Sequence, residues 1–380
     1  MQNKKKIVFV TGSRADYGKL KNIIINLQQN IKFDTYVFVT GMHNLKKYGS
    51  TYNHLQKDKI KNLYFFNNQK NSSQMDIILS NTIRGFKKFI KKIKLDMIIL
   101  HGDRIEPLAC SIVGCLNNIK VAHLEGGEIS GTVDELLRHS ISKLSHLHFV
   151  ANNVAKRRLI QMGENKKNIH VIGSPDIDIL LGKNLPSIQS VRKKYNINFK
   201  KYAILIYHPI TNELKNLNRQ IKFIMKNLIK SKVNYVVILP NNDTGSNLIY
   251  KELMKVKKNK YFKLLPSMRF EYYLTLLKNS KFIIGNSSSG IIEAPYYGTP
   301  TINIGTRQKN RASIKTIMNL NYNDKNFENY LINFYKSKKK YPKNYRFGFG
   351  DSSSKFIKIL SKKEVWDISD QKQFLDIKLN

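Results

Sequence analysis

The chain has 380 residues, 41% hydrophobic and 24% charged, an ordinary globular composition that excludes wholesale disorder and suggests two domains. No apolar run approaches the roughly 20 residues of a membrane span, and the run behind the charged N-terminus, 7–10, is too short for a signal peptide, so a cytoplasmic protein without membrane partners is expected. Lys and Arg number 66 against 26 Asp and Glu, a formal charge of +40. The excess is mostly Lys spread along the chain rather than Arg, the better fork for bases and phosphates. That argues against a nucleic-acid partner and for attraction of an anionic small substrate.

Residues 7–10 read as a strand, after which Leu20, Ile23, Ile24 and Leu27 recur at helical spacing. Further strands are expected at 36–39, 97–100, 121–124, 148–150 and 170–172, with helical stretches between them. One such stretch carries Val133, Leu137, Ile141 and Leu144 on one face. Both cysteines, Cys110 and Cys115, suit a reducing compartment, lack zinc-site spacing and read as small core residues. Around Pro175 and Pro186 the pattern loosens. A second series of strands follows at 203–207, 235–239, 262–265, 282–284 and 301–304. Beyond Thr306 the chain turns polar and Lys-rich, with a solvated turn at 338–340 and a terminal helix expected at 354–360. Alternating strands and helices imply mostly parallel sheets covered on both faces. The fold class is therefore α/β, in two Rossmann-like halves with a hinge near 175–200.

Open parallel sheets bind ligands beyond the C-terminal ends of their strands, and the informative polar clusters all follow strands. Thr11-Gly12-Ser13-Arg14-Ala15-Asp16-Tyr17-Gly18 joins the first strand to the first helix. It offers free N–H groups and Arg14 to an anion, or is a plain capped turn. His101-Gly102-Asp103-Arg104 places a carboxylate and a guanidinium at a strand end, as a substrate contact or a simple ion pair. His123-Leu124-Glu125-Gly126-Gly127-Glu128 precedes a helix that opens with Asp134-Glu135. Asp134 and Arg138, four apart, share a helix face. Crowded carboxylates raise one another's pKa, which yields an acid and a base from one residue type; capping by first-turn acids is the bland reading.

In the second half, His208 stands at a strand mouth. Pro240-Asn241-Asn242-Asp243 follows the next strand. Gly285-Asn286-Ser287-Ser288-Ser289-Gly290 leads into Ile291-Ile292-Glu293 and exposes small residues, N–H groups and hydroxyls to a phosphate. Glu293 suits the two hydroxyls of a ribose. Gly305-Thr306-Arg307-Gln308 supplies a second phosphate fork or a capped turn. Asp176-Ile177-Asp178 has the D-x-D form of a glycosyltransferase metal motif, but its place in the hinge reads as a turn and cap. His146 and His148 pack at a strand start.

Taken in order, these clusters resemble the hydrolysing UDP-N-acetylglucosamine 2-epimerases of sialic and legionaminic acid biosynthesis, over nearly the whole chain. Thr40-Gly41-Met42-His43, Gly131-Thr132-x-Asp134 and Arg138-His139 belong to the same pattern. Sister enzymes that epimerise without hydrolysis read His-x-Glu-Ala-Gly followed by Leu-Arg-Thr. The Glu125-Gly126-Gly127-Glu128 run departs from that form, which implies the hydrolysing branch. The resemblance implies two Rossmann-like domains facing a cleft, glycosyltransferase-B-like. The domains would be 1–178 with the catalytic acids, a hinge at 179–200, a nucleotide-binding domain at 201–350, and a C-terminal helix and tail at 351–380. It implies that His208, Asn241, Ser287, Ser288, Glu293 and Arg307 hold UDP, Glu293 at the ribose, with Arg14 and Arg104 reaching the nucleotide from the first domain. It implies catalysis by Asp103, Glu128 and Asp134, no cofactor and no metal, and a homo-oligomer.

The implied reaction converts UDP-N-acetylglucosamine and water to N-acetylmannosamine and UDP. The C2 proton is not beside a carbonyl, so the route is elimination of UDP to a 2-acetamidoglucal, then water addition at C1 and protonation of C2 from the other face. This needs cations for the leaving diphosphate, an acid and a base, and a carboxylate near the oxocarbenium-like charge. The alternative substrate is UDP- or GDP-linked N,N'-diacetylbacillosamine, the 2,4-diacetamido-2,4,6-trideoxy sugar. A glycosyltransferase of the same fold is the alternative of another class.

Overall fold

The computed structural model describes residues 4–45, 49–70, 74–241, 243–311, 314–339 and 341–376. Asn242 and Lys340, which fall in segments named above, lie outside them. The chain forms two compact units. The first comprises Met1–Glu128, Asp134–Gly182 and Arg346–Asn380, and the second Ile129–Val133 and Lys183–Tyr345.

In the first unit β1 (Lys5–Thr11), β2 (Phe33–Val39), β3 (Leu63–Phe65), β4 (Met97–His101), β5 (Lys120–Leu124), β6 (Leu147–Val150) and β7 (Ile169–Val171) alternate with helices. These are α1 (Arg14–Gln28), α2 (Tyr52–Lys57), α3 (Met75–Ile90), α4 (Ile105–Cys115), α5 (Val133–Leu144), α6 (Asn153–Gln161) and α7 (Pro175–Leu180). The strands are parallel in the order β3-β2-β1-β4-β5-β6-β7. The apolar runs are continuous because both faces are covered. Ile7, Phe9, Val37, Val39, Met97 and Ile99 pack on one side with Leu20, Ile23, Ile24 and Leu27 of α1. Val8, Val10, Phe38, Ile98 and Leu100 pack on the other with Phe86 and Phe89 of α3 and Cys110 and Val113 of α4. The period of two along each strand divides the layers.

The second unit repeats the plan. It contains α8 (Ile188–Tyr195), β8 (Ala203–Ile206), α9 (Leu217–Lys230), β9 (Tyr235–Ile238), α10 (Ser246–Met254), β10 (Phe262–Leu265) and α11 (Phe270–Lys278). Then come β11 (Ile283–Gly285), α12 (Ala294–Tyr297), β12 (Thr301–Ile304), β13 (Ile317–Leu320) and α13 (Phe327–Lys336). Its parallel order is β10-β9-β8-β11-β12-β13. Finally α14 (Ser352–Leu360) returns to the first unit, where Phe356 and Leu360 join the α1 side of the core. Its N-terminus is held by Asp178, whose two carboxylate oxygens accept from the Ser352 and Ser353 N–H groups at 2.8 and 2.7 Å. The Asp176-Ile177-Asp178 run is thus a cap and, at Asp176, a buried ion-pair partner.

Each strand expected from the sequence is present, with its ends shifted by a few residues. The edge strands β3 and β13 were not expected; both are short and only partly buried. Residues 188–195, read as hinge, form a helix of the second unit, capped by Ser187 and anchored by buried Val191. Cys110 is buried but Cys115, read as a core residue, is exposed at the end of α4. The face of α5 also differs from expectation. Arg138, Ile141 and Ser142 are its buried residues, while Val133, Leu137 and Leu144 are half-buried, because that helix turns a charged side chain inward.

Candidate active site

Both sheets reverse their strand order between the first strand and its neighbour, β1 against β4 and β8 against β11. Loops leaving those strand ends diverge and leave room for a ligand. They are 11–14 and 101–104 in the first unit, 207–209 and 285–289 in the second.

In the first unit Ser13, in extended conformation, caps α1 by accepting from the Asp16 N–H. Asp16 in turn accepts from the Gly12 N–H at 3.2 Å. Arg14 is therefore the first helical residue of a braced turn. Arg104 precedes α4, its Nε 3.5 Å from the buried carboxylate of Glu106. Asp103, between them in this loop system, pairs with Arg138 of α5. The same guanidinium donates to the Glu128 carbonyl at 3.0 Å. Arg138 thereby ties together the loops that follow β4 and β5. The Glu128 carboxylate is buried and accepts from the Asn152 amide at 3.3 Å. Gly127 makes this path possible: its φ is +75°, and a Cβ there would run into the Ala155 carbonyl. Asp134 is half-buried in the first turn of α5.

His123 fixes the turn at Gly102. Burial drives its pKa down to about 3, with the cations of Arg138 and His101 adding to the effect against the pull of the Gly102 bond. The ring is therefore neutral. Its Nε2–H donates to the Gly102 carbonyl at 2.7 Å, and Nδ1 accepts from the Ser142 hydroxyl at 3.0 Å. His43 is likewise neutral, pushed down to about 4 by burial, and bridges Thr11 at 3.1 Å and Thr51 at 2.9 Å.

Sequence reasoning missed a buried charge network beneath these loops. His101 lies between Asp16, 2.7 Å from Nδ1, and Glu125, 3.2 Å from Nε2. Lys19 of α1 stands 3.1 Å from Asp176 and 3.7 Å from Glu125. The Ser174 hydroxyl donates to the other Glu125 oxygen. Burial alone would raise the Glu125 pKa, but Lys19, His101 and the Ser174 bond hold it well below the usual carboxylate range. Glu125 is also a non-glycine residue at φ +62°, a backbone state that persists only where its surroundings enforce it and that collects at functional sites. The signal available in the sequence was its place directly after a strand.

In the second unit Asn286 clasps the end of β8. Its Oδ1 accepts from the His208 N–H at 2.7 Å and its Nδ2 donates to the His208 carbonyl at 2.8 Å. Gly285 lets the strands close, at φ +130°, where a Cβ would strike the Ile206 carbonyl. The Asn286 carbonyl accepts from Arg307 at 3.2 Å and Gln308 at 3.1 Å. His208, Ser287, Ser288 and Arg307 are thus brought to one strand-end region. Ser287 caps the short 3-10 turn Ser288–Gly290, and only the four-residue α12 follows, rather than a long helix. Glu293 is buried beside Tyr273 and Tyr297, whose hydroxyl pKa values rise through burial and its negative charge. Asn241, after β9, accepts from the Asp243 N–H at a long 3.5 Å. The segment Ile129–Val133, between Glu128 and Asp134, packs with this unit, and its Gly131 N–H donates to the Arg307 carbonyl at 2.9 Å.

Among the described residues no group of three or more His, Cys, Asp or Glu side chains is placed to hold a metal ion, and no helix is long and apolar enough to cross a membrane.

Two parallel sheets of this strand order, each with polar loops at the switch point, define an α/β protein of two Rossmann-like units, of the glycosyltransferase-B-like class. A solved UDP-GlcNAc 2-epimerase from Methanocaldococcus jannaschii, in complex with UDP-GlcNAc and UDP, shares the fold at TM-score 0.81 and 20% identity, over 94% of this chain and 99% of that one. The family model for UDP-N-acetylglucosamine 2-epimerase matches residues 25–361. A UDP-N-acetylglucosamine 2-epimerase of Neisseria meningitidis is 43% identical over 99% of this chain and 100% of its own length. A hydrolyzing UDP-N,N'-diacetylbacillosamine 2-epimerase of Legionella pneumophila is 35% identical over 81% and 82%. The chain belongs to the UDP-N-acetylglucosamine 2-epimerase family, enzymes acting on nucleotide sugars.

Proposed function

We propose that this enzyme hydrolyses UDP-N-acetylglucosamine with inversion at C2, releasing N-acetylmannosamine and UDP. The observation that carries the reading is the set of carboxylates at the ends of β4 and β5: Asp103 and Glu128 joined through Arg138, and Glu125 held ionised. The 43% identity to the meningococcal relative over full length supports the substrate. The relative named as hydrolyzing and the second Glu of the Glu125-Gly126-Gly127-Glu128 run support the use of water.

In this reading His208, Asn241, Ser287, Ser288 and Arg307 bind UDP and Glu293 takes the ribose hydroxyls. Arg14 and Arg104 add positive charge near the diphosphate, stabilising it as the C1–O bond breaks. Asp103, Glu128 and Asp134 divide the removal and return of the C2 proton. Glu125, permanently charged, is poorly suited to proton exchange and well suited to facing the positive charge that develops at C1. Water then adds at C1 of the glycal. The protein acts as a homo-oligomer in the cytoplasm in this proposal, without a cofactor.

Incubation with UDP-N-acetylglucosamine in D₂O, followed by NMR, tests it. Free N-acetylmannosamine with deuterium at C2 and stoichiometric UDP is expected. UDP-N-acetylmannosamine without UDP release would refute the hydrolytic assignment. Turnover of the N,N'-diacetylbacillosamine nucleotide alone would move the substrate to that sugar, and a requirement for an acceptor would indicate a glycosyltransferase.

A further inference from the structure

The loop after β4 enters the proposed chemistry through Asp103 and Arg104, yet the last residue of the strand, His101, is bracketed by two carboxylates. Asp16 Oδ1 accepts a hydrogen bond from Nδ1 at 2.7 Å, while Glu125 Oε2 lies 3.2 Å from Nε2, within ion-pair distance but off the hydrogen-bonding direction. A neutral imidazole has one N–H and one lone pair. A lone pair near a carboxylate oxygen is repulsive, so a ring hydrogen-bonded to Asp16 and 3.2 Å from Glu125 favours the doubly protonated form. Burial opposes the charge, but Glu125 and Asp16 outweigh it and lift the ring to about 10. The contrast with His123 on the neighbouring strand is informative: it meets a carbonyl and a hydroxyl, and is neutral.

The remaining charged neighbours fit this state. Lys19 and Asp16 come from α1, Asp176 from α7, and Glu125 from the end of β5, with Arg138 of α5 beyond His123. The three carboxyl groups of Asp16, Glu125 and Asp176 thus face His101 and Lys19. Asp16 uses its second oxygen on the Gly12 N–H, so the ring is mechanically continuous with the turn that presents Arg14.

We propose that His101 is a positioning residue: braced by Asp16, it aims the Glu125 carboxylate at the reacting sugar and keeps it charged through turnover. The inference rests on the reading that Glu125 faces the developing positive charge.

Glu125→Gln tests that reading by itself. A kcat loss of about 10²-fold or more is expected, and near-wild-type kcat would remove the reading whatever His101 does. Given the loss, His101→Gln removes the cation and keeps a polar contact. The kcat should fall about tenfold or more with KM for UDP-N-acetylglucosamine little changed. The acid limb of the kcat–pH profile should move up by about a unit or more, since Glu125 loses a stabilising cation. A purely structural role would lower the yield of active protein and leave the profile in place. Asp16→Asn decides the question if His101→Gln does not fold. Its amide N–H would face Nδ1 and its carbonyl could still accept from Gly12, so the ring becomes neutral without losing its brace. The same upward shift is expected; an unshifted acid limb in the folded variant overturns the proposal.

Discussion

Arg138→Met is the sharpest probe of how the first unit arranges its acids. Methionine keeps most of the buried stem and removes the guanidinium, so no cation and little void is left at the position. Two contacts disappear: the ion pair with Asp103 and the 3.0 Å bond to the Glu128 carbonyl. Asp103 is about a quarter exposed, with a side-chain accessibility of 28%, and regains water on losing its partner. The Glu128 carbonyl does not. Charged hydrogen bonds contribute about 1.5–3 kcal/mol each. Allowing for the hydration of Asp103, the variant should lose about 3 kcal/mol, or roughly 6–12 °C in Tm for a unit of about 200 residues. The larger effect is on chemistry. With both loops released, misplacement of reacting groups on the scale of 1 Å costs on the order of 10²-fold in kcat. The second-unit side chains proposed to bind UDP are untouched, so KM should change by less than about threefold. Steady-state UDP release and a thermal melt measure both quantities. A variant with kcat within about threefold of wild type and an unshifted Tm would refute the role given to Arg138. Arg138→Lys should recover part of the stability and little of the rate, because one ammonium cannot span both acceptors.

Other expectations follow from single contacts. Below pH ~6.5 the unfolded chain protonates His43 and His123, while in the folded protein they resist protonation down to about 4 and about 3. Stability is therefore lost as pH falls, by ~1.4 kcal/mol per pH unit for each ring; urea midpoints at pH 6.5 and 5 should differ, and equal midpoints would contradict the burial argument. His101 has the opposite sign: its contribution is complete below pH ~6.5 and disappears as pH rises through about 10, so His101→Gln should flatten the alkaline side of the stability profile. Gly127→Ala places a Cβ against the Ala155 carbonyl at positive φ and should destabilise by about 2 kcal/mol or more, read as a lower urea midpoint. Glu293→Gln should weaken UDP binding by roughly tenfold in calorimetry; unchanged affinity would remove Glu293 from the ribose site.

The α/β alternation was legible because strands buried on both faces are written as unbroken apolar runs. Residues 7–10 and 97–100 needed no tertiary information: every side chain goes into one of two cores. β3 and β13 were not legible for the converse reason. At a sheet edge half the side chains meet solvent, and Ile317-Met318-Asn319-Leu320 does not stand out from its polar surroundings. α5 was misread at its inner face because periodicity ranks apolar residues inward, whereas the helix buries Arg138 at 2% exposure. The partners that explain that choice, Asp103 and the Glu128 carbonyl, lie 35 and 10 residues earlier, and periodicity does not encode them.

The same limit governs the site. Strand-end clusters could be found from sequence, since the topology of a parallel sheet says where to look. Which acid holds which charge depends on partners that converge from separate elements. Glu125 and Glu128 are three residues apart in one loop, yet Glu125 meets Lys19, His101 and Ser174, while Glu128 meets Asn152. The resemblance implied Glu128 as the catalytic acid of this loop, alongside Asp103 and Asp134. The structure gives Glu125 the greater electrostatic constraint, a positive-φ backbone and both Lys19 and His101 near one oxygen. If Asp103, Glu128 and Asp134 move protons, they must be able to change charge, and a carboxylate locked in the ionised state does a different task beside them. In the proposed elimination a fixed anion would face the oxocarbenium-like charge while other acids move the proton, and Glu125 has the buried, cation-flanked surroundings that suit such an anion.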